Sequence, residues 1–428
     1  MQKLFDEVGT LDKRCYEEFL LTEDLLMEQA ASNISTYIEN NYSNNEKVVI
    51  VCGPGNNGAD GLALARLLYK KFNVKVYLVA KPKSKMAKLQ YQRAKALNIK
   101  FTEKIKQADI IVDAIFGSGL NKPLNDEVSQ QLDFINSIKA FKIACDIPTG
   151  INQKGQIQTT AFQADITITM GALKTSLFLD EAKNYVGEII VGNLGVQRDV
   201  YETKTDMYLL DEEDLKLPFR NQKDLHKGSF GHLNVIAGCK KGAGVIAAKA
   251  AFGLGAGLVT VVCHEELDLP YHIMQAHFTT KNCSAIAIGM GLGKYEENEI
   301  KKILAKDIPI LIDADLFHEK IVLNVLEKEV VLTPHPKEFC SLLRLCGIAN
   351  ISIEELQKNR FYYVKEFTKK YKKPVLLLKG ANVIIAQDKK MFVNDKGTAV
   401  LSKAGSGDVL SGLIASLLAQ GYNILEAA

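Results

Sequence analysis

Short apolar runs rich in β-branched residues recur through the first half of the chain: "KVVIVC" (47–52), "VKVYLVA" (74–80), "DIIVDA" (109–114), "FKIACD" (141–146) and "DITITM" (165–170). They are apolar on both faces, the pattern of strands buried on both sides. Helical periodicity fills most of the gaps. A long helical stretch opens the chain from about Leu11 to Asn41, with Thr22 as a cap in its middle. The alternation predicts a parallel sheet with helices on both faces. A polar, charge-rich segment of weak periodicity spans about 198–227. A second series follows it: "HLNVIAG" (232–238), "GLVTVVC" (257–263), "SAIAIGM" (284–290), "IPILIDA" (308–314), "EVVLTP" (329–334) and "PVLLLKG" (374–380), then "NVIIAQ" and "MFVN". A last helix carries Val409, Leu410, Leu413, Ile414, Leu417 and Leu418 at helical spacing behind "SKAGSGD" (402–408). With the polar segment as boundary, the fold class is α/β in two domains, 1–205 and 206–428, without a repeat between them.

Length agrees with that division, since 428 residues exceed the ~250–300 at which single cores usually split. A net charge of +3, from 53 basic and 50 acidic residues, is too small to argue for nucleic acid or a membrane surface. The longest apolar stretch, 242–263, is broken by Lys249 and by glycines, and reads as helix plus strand rather than a membrane span. "MQKLFDEVGT" has no apolar core of a signal peptide. Eight scattered cysteines without a C-x-x-C pair read as reduced thiols of a cytoplasmic protein.

Open α/β sheets bind ligands beyond the carboxyl ends of their strands, so the residues just after each strand matter. "GPGNNGADG" (53–61) follows the first strand of the N-terminal series. Asp113 and "FGSGLNKP" (116–123) follow the third, and Asp146 with "IPTG" (147–150) follows the fourth. Gly and Asp are common turn formers, but three such loops at one edge suggest a small polar ligand held by backbone amides. Phosphate would sit near the glycines. A hard cation would take oxygens, and Asn57, Asp113 and Thr149 are donors of that type. "GPGNNG" lacks the spacing of the ordinary dinucleotide fingerprint.

In the second series, "SKAGSGD" places Asp408 in the first turn of a helix. Free N–H groups and the positive end of the helix dipole meet there, and glycines let a phosphate approach. Taken alone, Asp408 reads equally as a helix N-cap, His335 in "TPHPKEF" (333–339) as a loop histidine, and Lys379 in "LLLKGANVIIA" as a solvated strand end. The small-residue stretch "GAGVIAAKAAFGLGAGLVTV" (242–261) allows close packing of neighbouring backbones or of a planar ligand.

"VCGPGNNGADGLALARLL", "VDAIFGSGL" and "ACDIPTGIN" resemble the N-terminal domain of the bifunctional NAD(P)H-hydrate repair enzymes, the NAD(P)HX epimerase. "HKGSFGHLNVIAG", "TPHPKEF" and "SKAGSGDVLSG" resemble their ribokinase-like, ADP- or ATP-dependent dehydratase domain. The resemblance implies a Rossmann-like three-layer epimerase domain followed by a ribokinase-like dehydratase domain. The first would bind the hydrated dinucleotide through Asn56, Asn57, Gly58, Ala59 and Asp60, through Gly117, Ser118, Gly119, Leu120, Asn121, Lys122 and Pro123, and through Asp146, which is also catalytic. Potassium would lie at Asn57, Asp113 and Thr149. In the second, Ala243, Gly291, Gly293 and His335 would hold the hydrated nicotinamide. Lys379, Gly380, Ala381, Asn382, Val383 and Gly407 would hold ADP or ATP, with Mg²⁺, and Asp408 would be the general base. The substrates implied are NADHX and NADPHX, with no nucleic-acid or membrane partner; a homo-oligomer is expected.

Three departures accompany the resemblance. Ala59 stands where glycine is usual, which is tolerable at negative φ and costly otherwise. Lys403 and Ala404 replace a run richer in Gly and Thr, and "GYNILEAA" ends sooner than expected, as though a last helix were missing. The competing readings are a vitamin-type kinase, which could use the same anion hole, and a non-catalytic N-terminal binding domain, since related domains occur in RNA-decapping scaffolds.

Overall fold

The computed structural model describes residues 1–120, 122–157 and 159–428. Each strand-like run named above forms a strand, and the chain divides into two compact units, Gln2–Thr205 and Asp206–Ala428, the latter including Met1. The opening helical stretch is two helices, Gly9–Glu17 and Glu23–Asn41, because Leu20 takes a left-handed φ of 56° between them and Thr22 is the N-cap of the second. The polar segment is not all irregular. It holds the strand Met207–Leu209, parallel to Lys390–Asn394, with Met207 opposite Met391.

In the N-terminal unit seven parallel strands run in the order Lys100–Thr102, Asn73–Leu78, Lys47–Cys52, Ile110–Ala114, Phe141–Cys145, Ile166–Met170, Glu188–Gly192. The order reverses between Lys47–Cys52 and Ile110–Ala114, whose ends meet with Cys52 opposite Ala114. Such a reversal opens a crevice at the carboxyl edge. The three loops singled out in the sequence leave neighbouring strands here, since Ile110–Ala114 also pairs with Phe141–Cys145. Helix Asn56–Leu68 lies close on the sheet; a Cβ on its Gly61 would stand 2.6 Å from Ala114 Cβ. A separate parallel pair joins Gln2–Phe5 to Leu173–Lys174.

The C-terminal unit has ten strands in the order Met274–Ala276, Leu258–Val262, His232–Ile236, Ala285–Ile288, Ile310–Ile312, Val330–Leu332, Val375–Leu378, Val383–Gln387, Lys390–Asn394, Met207–Leu209. The strand Val383–Gln387 is antiparallel to both of its neighbours. Helices Lys241–Gly253 and Ser406–Ala419 pack backbone to backbone. A Cβ on Gly412 would lie 2.1 Å from the Ala247 carbonyl, and Ser416 Oγ donates to the Ala251 carbonyl at 2.9 Å. The small residues of 242–261 thus serve helix packing. Among the described residues no helix is long and apolar enough to cross a membrane. All eight cysteines are free, and six are buried.

Candidate functional site

Glycines at the N-terminal edge have two different jobs. A Cβ on Gly53 would sit 1.9 Å from the Ile115 carbonyl oxygen, and one on Gly58 would sit 1.9 Å from that of Gly53. These two close the loop against its neighbours. Among the described residues, nothing lies within 4 Å of a Cβ added to Gly55 or Gly119. Gly55 caps helix Asn56–Leu68, whose first N–H groups have no intrahelical partners. Asn56, Asn57, Asp60, Gly117, Ser118, Gly119 and Asp146 line one cavity of about 410 Å³, together with Asp12, Tyr16 and Glu23.

Other residues expected there lie elsewhere. Gly58 and Ala59 are buried residues of that helix, with Ala59 packed beside Met27, Met86 and Ala87, and neither lines the cavity. Ala59 is helical without positive φ, so its methyl carries no backbone strain. Leu120 faces the core, and Lys122 and Pro123 are exposed away from the cavity. Asn121 lies outside the described residues.

Asp146 sits just past its strand at φ 71°, left-handed for a non-glycine residue. Its Oδ1 accepts from Lys174 Nζ at 2.7 Å and from the Met170 N–H at 3.2 Å, while Oδ2 accepts from the Ser118 N–H at 3.4 Å. Burial alone would push this carboxyl up, but the Lys174 ammonium brings it below the ordinary carboxylate range. Asp60 has no hydrogen-bond partner among the described residues; burial, then the charges of Asp146 and Asp12, push it well above that range. Burial also raises Asp12, whose Oδ1 accepts from the Tyr201 hydroxyl at 2.8 Å.

Asp113 is fully buried. Its carboxylate accepts from the Thr149 N–H (2.7 Å), the Thr149 hydroxyl (2.8 Å) and the Ile115 N–H (3.1 Å), and burial pushes it up to about 6. No lysine or arginine pairs with it among the described residues. Asn57 contributes a buried amide nitrogen without a partner, and its oxygen lies 3.3 Å from where a Cβ of Gly117 would be.

At the C-terminal edge, Gly405 caps helix Ser406–Ala419 at φ 86°, which corrects the reading of Asp408 as N-cap. Asp408 lies in the first turn, half-buried, and has no hydrogen-bond partner among the described residues. Burial and the nearby charge of Asp313 raise its carboxyl above the ordinary value, Lys379 opposing them.

Lys379 is no solvated strand end. Its Nζ pairs with Asp313 Oδ1 at 2.8 Å and would lie 3.7 Å from a Cβ on Gly407. The other oxygen of Asp313, Oδ2, accepts from Ser411 Oγ at 2.7 Å, so one buried carboxylate ties the lysine to the helix of Asp408. Gly380 and Ala381 are exposed and Asn382 buried at the tip between Val375–Leu378 and Val383–Gln387. Arg360, 1% exposed, donates to the carbonyls of Leu378 and Lys379 at 3.3 and 3.1 Å and braces that tip.

His335 is the N-cap of helix Pro336–Leu345. Its Nδ1 accepts from the N–H groups of Lys337 and Glu338, and Glu338 accepts the His335 N–H at 2.8 Å in return. Nδ1 as acceptor makes the neutral Nε2–H tautomer the natural one, and burial with the Lys379 charge lowers the imidazole's affinity for a second proton. Glu338 Oε1 lies 3.1 Å from Nε2, and burial pushes its carboxyl up to about 7.

Gly291 and Gly293 have φ of 58° and 62°. A Cβ on Gly291 would lie 2.7 Å from Lys240 Cβ and 3.1 Å from Ala243 Cβ, which brings Ala243 to this turn. A Cβ on Gly405 would meet the same helix, 3.2 Å from Ile246 Cδ1. His335, Lys379, Gly407 and Asp408 thus gather around Asp313, with Ala243 on the adjoining helix and Gly291 in the turn against it.

Several of these residues escaped the sequence reading. Asp313 ends "IPILID" just as Asp113 and Asp146 end their strands, so the same edge rule would have found it. Lys174 is a lone charge inside the apolar "GALKTSLFL", the mark of a buried cation that needs a partner. Glu338 stands three residues after the capping His335, the spacing of a capping box.

The model of a family described as NAD(P)H-hydrate dehydratase matches residues 233–428, and one described as YjeF-related protein N-terminus matches 23–176. A bifunctional NAD(P)H-hydrate repair enzyme of Helicobacter pylori is 44% identical over 439 aligned positions, covering 100% of this chain and 93% of the relative. One of Dictyoglomus turgidum is 34% identical, covering 99% of this chain and 90% of the relative. Among solved structures, an ADP/ATP-dependent NAD(P)H-hydrate dehydratase from Bacillus subtilis is 28% identical over 49% of this chain and 80% of its own, with a TM-score of 0.42. On these full-length likenesses, the chain belongs to the family of bifunctional NAD(P)H-hydrate repair enzymes.

Proposed function

We propose that the chain repairs hydrated nicotinamide dinucleotides with two active sites. The N-terminal unit interconverts the R and S forms of NADHX and NADPHX. The C-terminal unit converts the S form to NADH or NADPH at the expense of ADP or ATP. The observation that carries the second half is Asp408: a half-buried carboxylate in the first turn of a helix, without a hydrogen-bond partner among the described residues, near an anchored lysine.

Hydroxide is a poor leaving group and phosphate a good one. Asp408 takes the proton of the substrate hydroxyl as that oxygen attacks the terminal phosphorus, and the N–H groups of Ser406 and Gly407 hold the phosphoryl oxygens. Lys379, steered by Asp313, adds its charge to the same group. The ring nitrogen's lone pair then expels phosphate as the C–O bond breaks, and loss of a proton from the neighbouring ring carbon restores the dihydronicotinamide. Mg²⁺ would come with the nucleotide's phosphates and neutralise their charge.

Inverting the carbinol carbon in the N-terminal unit breaks its C–O bond and remakes it on the other face. One group gives a proton to the hydroxyl that the ring nitrogen's lone pair expels as water, and another takes a proton from the water that adds back. Asp60, held protonated, and Asp146, held ionised, suit those parts. Asp113, Thr149 and Asn57 each offer an oxygen around a buried carboxylate that has no basic partner among the described residues, and those oxygens fit potassium. Potassium would supply the missing positive charge.

The test is direct. Hydrated NADH is mixed with protein and ADP or ATP, and the reduced-nicotinamide absorbance is followed. Recovery that requires nucleotide supports the reading; no recovery from either hydrate in a folded protein overturns it.

A further inference from the structure

Four acidic side chains, Asp12, Glu23, Asp60 and Asp146, line the N-terminal cavity, and no lysine or arginine lines it among the described residues. One ammonium reaches it from behind. Lys174 is 3% exposed and belongs to the short strand Leu173–Lys174, held against Gln2–Phe5. Its Nζ donates to Asp146 Oδ1 (2.7 Å), Thr169 Oγ1 (2.8 Å) and the Met170 carbonyl (3.0 Å), so its three protons are taken by the protein. None remains for a substrate.

We infer that Lys174 is a positioning residue of the epimerase: it does not touch substrate, but it orients Asp146 and balances that carboxyl's negative charge. The inference rests on the reading of Asp146 as the catalytic carboxylate. Geometry supports it from both sides of the pair. Asp146 is turned to the cavity by a left-handed backbone that costs energy unless other contacts over-determine it. The ammonium, the Met170 N–H and the Ser118 N–H are those contacts.

Lys174, for its part, is too buried to stay charged without an anion, and Asp146 is the carboxylate within ion-pair reach. The titratable groups near Asp146 are Lys174, Asp60, Asp12, Tyr201 and Cys145, with Glu23 on the same cavity. Burial drives Asp60 and Asp12 upward while Asp146 is drawn down. A protonated and an ionised carboxyl are left across one cavity, which is what paired proton transfer requires.

The experiment uses the full chain, the R hydrate, and rates above the uncatalysed epimerisation. Lys174→Met should lower kcat about 100-fold, within the range set by losing a positioned acid or base, with KM within about threefold of wild type. Lys174→Ala should regain part of its kcat in ethylammonium. A kcat near wild type for Lys174→Met, or parallel loss of affinity with no amine rescue, overturns the inference. Should the lysine variants not fold, Thr169→Val removes one tether and keeps the shape; it should lower kcat several-fold at unchanged KM, and an unchanged kcat is equally fatal. Asp146→Asn separates the two levels. If it epimerises normally, the reading of Asp146 fails; if it is inactive while Lys174→Met is fully active, only the role of Lys174 fails.

Discussion

The two sites hold their central carboxylates in opposite ways. Asp146 in the N-terminal unit accepts from an ammonium and two backbone N–H groups, and its conformation is strained. Asp408 in the C-terminal unit rests on an unstrained helical turn and accepts from nothing among the described residues. Both lose solvent, yet the first is drawn below the ordinary carboxylate range and the second is pushed above it. Burial alone therefore does not decide charge; the partner does. Asp146 is preorganised before any ligand arrives. Asp408 is left for its ligand to complete.

The largest effect expected from this contrast is at Asp408. Asp408→Asn should lower nucleotide-dependent dehydration by about 10²–10⁴ while nucleotide still binds, the usual cost of a lost general base. Because the native environment disfavours the charged form, the variant should melt no lower than wild type, as read by calorimetry at pH 7. The wild-type rate should fall with acid at a pH above the 3.8 of a free aspartate, since the ionised form is the active one and its pKa is raised. Turnover near normal in Asp408→Asn would make the free carboxylate irrelevant to the chemistry.

Asp146→Ala should remove epimerisation to a similar degree and also destabilise, because Lys174 is left buried without its anion. Breaking a buried pair typically costs about 3–5 kcal/mol. Equal stability of variant and wild type in a denaturant titration would show that the pair does not order the site.

Potassium should stimulate epimerisation, and Asp113→Ala should abolish that dependence along with most activity. Rates measured in potassium and in a bulky organic cation would expose a site that binds no ion, for they would then be equal.

The smallest effect concerns Glu338. Its carboxyl is raised to about 7 in the folded protein, so the native state binds more protons than the unfolded chain between about 4.5 and 7. Stability from this group is full below that window and is lost as pH rises through it. Glu338→Gln keeps the capping geometry and should flatten the slope of stability against pH; an unchanged slope would assign it to other groups.

Much of this contrast was legible beforehand. Strands apolar on both faces announced the sheets, and the loop residues at their carboxyl ends announced the N-terminal cavity. Asp408 was visible because glycines precede a helix of clear period. What stayed hidden were partners brought together by topology. Lys174 meets Asp146 across a sequence separation of 28 positions, and Lys379 meets Asp313 across one of 66. No local pattern encodes either meeting. The glycines of "GPGNNG" misled in part, because Gly58 answers to a neighbouring carbonyl rather than to a ligand. The opening helix was drawn too long because Leu20, an apolar residue, occupies a left-handed turn where periodicity predicts continuation.

The central claim is that one chain carries two carboxylates with separate jobs, and a chromatographic time course of the pure R hydrate tests it most directly. Wild type with ADP or ATP should yield NADH. Asp408→Asn should stop at a mixture of R and S hydrates. Asp146→Ala should leave R to its slow spontaneous epimerisation, yet repair supplied S hydrate at close to the wild-type rate. Loss of S-hydrate repair in a folded Asp146→Ala protein would contradict the account, because Asp146 would then be required for a reaction assigned wholly to Asp408.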